Sequence, residues 1–129
     1  MKTFEEYDQL MQAGKMTLSR RSFDIEVTLY ADGAQIYLSA VVYTGRNYLP
    51  RAVREAAEQE IGIPGALIDS FLRVDAFQIK VEHLGKFDCS DAMDWAHLIQ
   101  EFIWICNEWR FRLEIRGREE LVFVGRKSK

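Results

Sequence analysis

Asp94, His97 and Glu101 are spaced by three and four residues. On a helix that spacing stacks side chains on one face, where an imidazole and two carboxylates could be offered to a metal ion. A site would need a further ligand, and His83 is the only other histidine. A histidine beside carboxylates on a solvated helix face is the plainer reading, so neither metal nor other cofactor is expected. Cys89 stands just before a helix start, where the helix dipole favours a thiolate. Asp88 and Asp91 flank it and oppose that charge, so a packed or idle cysteine is expected. Gly62-Ile63-Pro64-Gly65 lacks the Gly-Lys-Ser/Thr ending of a phosphate loop and follows a helix instead of a strand. There is no Gly-x-Ser-x-Gly and no Cys-x-x-Cys, and the carboxylates are scattered, so no catalytic residue is nominated.

Two groupings speak of surfaces. Arg110, Arg112, Arg116 and Arg118 belong to a C-terminal portion, 110–129, of net charge +4, against −7 for residues 1–109. Read as a strand, this portion aligns Arg110, Arg112 and Arg116 on one outward face that could meet phosphates or an acidic partner. The plainer reading is a charged edge guarding against aggregation. No stacking aromatics share that face, so nucleic acid is not expected. The second grouping lies on the third predicted helix. Asp94, His97, Gln100, Glu101, Asn107 and Glu108 mark its polar side, yet Trp104 and Met93 fall within the same arc. Tryptophan and methionine on a solvated face are enriched where proteins meet partners. A loop folded over Trp104 is the competing explanation.

The elements that must position these residues can be read from periodicity. Thr3-Phe4-Glu5-Glu6 reads as a capping box for a first helix over about 4–13, stopped by Gly14. Phe23, Ile25, Val27 and Leu29 alternate with polar residues as a half-buried strand. Asp32-Gly33 then suggests a tight hairpin turn into Gln35–Tyr43, apolar on both faces and therefore central. Asn47 as cap and Pro50 in the first turn open a second helix, with Val53, Ala56, Ala57 and Ile61 as its buried stripe. Phe71 to Leu84 changes phase at Ala76-Phe77, which demands a bulge or two short strands. Ser90 or Asp88 caps a third helix over about 91–108, with Ala92, Trp95, Leu98, Ile99, Phe102, Cys106 and Trp109 on its apolar face. A terminal hairpin follows: Phe111, Leu113 and Ile115 inward, Gly117 in the turn, Leu121 to Val124 returning.

With 48% hydrophobic and 29% charged residues, the chain has material for one domain, 1–129, and none of the bias of disordered or fibrous proteins. The predicted architecture is α+β: a single antiparallel sheet of about five strands with three helices packed on it. Such a helix over 91–108 sets Cys89 and Cys106 roughly 25 Å apart, too far for a disulfide. No run of apolar residues is long enough to span a membrane. The acidic start, Met1 to Glu6, does not read as a secretory signal, so a cytoplasmic location is expected. In size, acidity and an amphipathic late helix the chain is similar to small type III secretion chaperones. No motif is shared, and the terminal hairpin departs from the helical ending usual in that family.

These features point to a non-enzymatic protein-binding module or chaperone-like adaptor, working as a homodimer. It would act through a sheet edge and the third helix at Trp104, Met93, His97, Glu101 and Glu108. The alternative is a small-molecule or nucleic-acid binding domain, or a small enzyme, with a pocket between sheet and helices near His83, His97 and Tyr48.

Overall fold

A computed structural model describes residues 2–59 and 62–127, with side chains described for 5–59 and 62–118. Among them, one open antiparallel sheet of five strands carries three α-helices, the α+β class that the periodicity predicts. The order along the chain is α1 (Lys2–Ala13), β1 (Lys15–Ser19), β2 (Asp24–Tyr30), β3 (Gln35–Thr44), α2 (Arg51–Glu58), β4 (Phe71–Asp75), β5 (Gln78–Lys86) and α3 (Ala92–Lys127). In space the strands run β1-β2-β3-β5-β4, which makes β3 central and leaves β1 and β4 as edges.

Register aligns one apolar face. Leu18 lies opposite Ile25, Ile25 opposite Ala40, and Ala40 opposite Val81, all buried. The helices pack on this face, α1 against β1 and α3, α2 against β4 and α3, and α3 across β3. The other face is polar, with Thr17, Glu26, Lys80 and Arg73 pointing away from the core. Within it the Glu82 carboxylate is almost wholly covered; the Tyr37 hydroxyl donates to it and Arg73 Nε lies 2.7 Å away. Burial raises this carboxyl above its usual range.

Several local expectations are corrected. The strand β1 is too short and too mixed to stand out in sequence; pairing with β2 creates it. Helix α1 begins at Lys2, so Thr3 is inside it. Glu6 does not close a capping box but pairs with Arg20 at 2.6 Å. The β2–β3 connection is no two-residue turn. It is a four-residue loop, 31–34, with positive φ at Ala31, Asp32 and Gly33. Pro50 occupies the N-cap position of α2, and no side chain caps it, so Asn47 does not have that role. Val53 and Ala57 are buried as expected, whereas Ile61 lies outside the described residues. The phase change at Ala76-Phe77 is a two-residue hairpin turn between β4 and β5, with Ala76 at φ +53°.

The largest correction is at the end. Residues 109–127 continue α3, and the predicted terminal hairpin does not exist. Alternation at Phe111, Leu113 and Ile115 imitates a strand. The buried series Phe102, Cys106, Trp109, Leu113 and Gly117 steps by three or four, which is helical. Gly117 is not a turn residue: a Cβ there would sit 2.9 Å from Tyr43 Oη and 3.5 Å from Val53 Cγ2. It lets α3 pass close to β3 and α2.

Candidate partner-binding surface

The functional candidates from sequence are gathered mostly on α3, so its start and its rotation decide what they can do. The side chain of Asp91, not of Ser90 or Asp88, caps the helix, accepting from the Met93 amide at 2.9 Å. Asp88 instead accepts from the amide and hydroxyl of Ser90, at 3.0 and 2.6 Å, which holds its carboxyl below the ordinary range. With the start set, Trp95, Ile99, Phe102, Ile105, Cys106, Trp109 and Leu113 face the sheet and are buried. Phe87 meets Trp95 edge-on, ring centres 6.4 Å apart. Burial pushes the Cys106 thiol up to about 12, so it is inert; Cys89 is half-buried, and both are free.

The opposite side of α3 is not purely polar. At about 100° per residue, Met93, His97, Trp104, Phe111 and Ile115 fall within roughly 40° of one another, diametrically opposite the buried stripe. Met93 is 52% exposed, Trp104 40%, Phe111 64% and Ile115 36%. This exposed apolar stripe runs 22 residues along the helix, about 33 Å at ~1.5 Å per residue. Periodicity alone places Met93, His97 and Trp104 on it. Phe111 and Ile115, expected inward on a strand, join it because the helix continues past Glu108. Continuing the 3.6-residue period past Trp109 would have found both.

One flank of the stripe is walled by the loop before β4. The Leu67 amide donates to Glu101 Oε1 at 3.1 Å, and a Cβ at Gly65 would stand 4.0 Å from the edge of the Trp104 indole. Leu67 itself is 85% exposed beside them and extends the apolar surface. Glu101 is therefore a bracket for this loop, while Glu108 lies half-buried farther along the same flank.

Behind the loop a groove of about 370 Å³ runs between the 67–69 segment, the end of β5 and α3, lined among others by His83, His97, Asp94 and Glu101. It brings together the two histidines of the alternative reading; Tyr48 is not among its lining residues, standing 60% exposed elsewhere. Three of its polar side chains meet the protein's own backbone. His83 Nδ1 bonds the Asp69 carbonyl, Glu101 takes the Leu67 amide, and Asp94 lies 3.4 Å from the Asp88 amide. Among the described residues, no group of three or more His, Cys, Asp or Glu side chains is placed to hold a metal ion.

Arg110, Arg112 and Arg116 do not form the expected stripe, because the segment that carries them is helix. Neighbours two apart share a face of a strand but stand about 200° apart on a helix. Arg110 turns inward, its guanidinium 4.1 Å over the Phe23 ring and donating to the Ser22 carbonyl at 2.8 Å. Arg112 and Arg116, four apart, share one flank, and Arg118 is on the other.

Among the described residues, no helix is long and apolar enough to cross a membrane. Comparison with protein-family models, curated proteins and solved structures yields no match to this chain.

Proposed function

We propose that this chain is a non-enzymatic protein-binding module, adaptor-like, that self-associates through the exposed side of α3. The observation that carries this reading is the continuous stripe of Met93, Trp104, Phe111 and Ile115, with Leu67 beside it. Scattered single hydrophobics on a surface need no explanation, but aligned large ones, including a tryptophan, are the composition of contact surfaces. Self-association through α3 leaves the open sheet face and the short edge strands β1 and β4 for a partner protein. The helical ending also removes the departure from the small type III secretion chaperones that the chain resembles in size and acidity.

The enzyme alternative is weaker on the same grounds. In the His83–His97 groove His83, Glu101 and Asp94 already meet backbone groups, and the trough on the open sheet face is lined by residues such as Thr17, Glu26, Ser39 and Lys80, without histidine or cysteine.

Light scattering on the purified chain tests the reading. The wild type is expected to be a dimer, and Trp104→Ala to weaken it at least ~30-fold, the equivalent of a central anchor worth ~2 kcal/mol. The melting temperature of the isolated subunit should hardly change. A monomeric wild type, or a Trp104→Ala protein that melts as early as a core variant, would refute it.

A further inference from the structure

Resting on that reading, the geometry points to one arrangement: two copies of α3 pack antiparallel, with the two-fold axis passing at Trp104. The first support is spacing. Met93 lies eleven residues before Trp104 and Ile115 eleven after. A two-fold at Trp104 therefore sets Met93 level with the partner's Ile115 and His97 level with the partner's Phe111. Each large exposed side chain of the stripe meets a stripe residue, as an isologous contact requires.

The second support is charge. Near its start α3 carries exposed Asp94, and farther along the same flank it carries Arg112 and Arg116; exposed Glu114 and Arg118 are on the other flank. Antiparallel packing lays Asp94 of each helix beside the partner's Arg112 and Arg116, whereas parallel packing in register would set Asp94 against Asp94 and arginine against arginine. Asp94 and Arg112 are eighteen residues apart, five turns, and so occupy the same flank of the helix, with Arg116 close by. A two-fold between antiparallel helices brings each flank against its own copy. Asp94 then falls between the partner's Arg112 and Arg116, within about two residues' rise of each, some 3 Å. The cluster occurs twice per dimer.

One like-charged approach comes with this register, Glu101 lying within one residue's rise of the partner's Glu108. Glu101 is drawn aside by the Leu67 amide, which reduces the clash. Glu108→Gln should consequently tighten the dimer a few-fold, since exposed pairs are worth ~0.2–1 kcal/mol.

Cysteine trapping in a Cys89→Ser background decides the orientation, Cys106 being buried. Chains carrying Met93→Cys, mixed with chains carrying Ile115→Cys, should oxidise to a mixed disulfide dimer, while neither alone crosslinks efficiently. Arg112→Glu with Arg116→Glu should weaken association about tenfold, and adding Asp94→Arg should restore it. Self-crosslinking of either single-cysteine chain in place of the mixed product, or no rescue by Asp94→Arg, overturns the antiparallel register. If that happens while Trp104→Ala still disperses the dimer, only the register falls. A wild type that is monomeric, or a dimer indifferent to Trp104→Ala, overturns the self-association reading as well.

Discussion

Both sides of α3 carry large apolar residues, and these have opposite fates. Trp95, Phe102, Ile105 and Leu113 on one side are wholly buried, whereas Met93, Trp104, Phe111 and Ile115 on the other keep a third to two thirds of their surface in solvent. Hydrophobicity does not separate them; the presence of a sheet on one side does. A helix apolar on two sides but covered on one has surface left for a partner. The contrast also ranks the expected consequences of substitution.

The largest effect belongs to the covered side. Trp95→Ala should cost ~3–5 kcal/mol, leaving a cavity against Phe87, and lower the melting temperature by more than ~10 °C. If Trp95→Ala and Trp104→Ala melt alike, the two sides are not different and the comparison fails. Next comes the far end of the covered side. Gly117→Leu should destabilise by ~1–3 kcal/mol, because Tyr43 and Val53 leave no room for a side chain. A hairpin turn at Gly117 would tolerate larger polar residues, so near-neutral melting would break the helical assignment of this region.

The effect that is smallest at any single step is a slope with pH. Cys106 faces the core, and its thiol is lifted to about 12 from an ordinary ~8.5. The unfolded chain loses this proton first, so the native state binds more protons between those values. Stability contributed by this group is therefore complete below about pH 8.5 and falls as pH rises towards 12, by at most ~1.4 kcal/mol per unit. Denaturation followed across that interval should show the slope in the wild type and a shallower one in Cys106→Ala, the remainder coming from groups such as Tyr7, whose hydroxyl burial also raises. In the same range a thiol reagent should modify Cys89 of the folded protein and leave Cys106 untouched until unfolding; prompt reaction at Cys106 would mean that its side of α3 opens readily.

Legibility from sequence varied with how local the cause was. The alternation of β2 and β3, the break at Ala76-Phe77 and the stop at Gly14 were readable because each reflects nearest-neighbour geometry. The count of five strands agrees with the expected one only through compensating differences: β1 is a strand that periodicity does not show and β4 and β5 are separate, while the two strands expected in a terminal hairpin are helix. Phe111, Leu113 and Ile115 satisfy a period of two and Trp109, Leu113 and Gly117 a period of four. A short window cannot choose between them.

By itself, the sequence determined the class of fold, the central place of β3, the buried face of α3 through Trp95 and Trp109, and the odd position of Trp104 and Met93 opposite it. Those follow from periodicity, which depends only on backbone geometry and the cost of leaving apolar groups in water. Tertiary structure alone decided that β1 is a strand, that α3 runs on to Lys127, and that Phe111 and Ile115 are exposed. It likewise turned Arg110 inward over Phe23 and gave Glu101 to the Leu67 amide. The physical reason is common to all of them: each depends on a neighbour distant in the chain, whether β2 beside β1, Tyr43 beside Gly117 or a loop beside Trp104. Local periodicity contains no information about such neighbours.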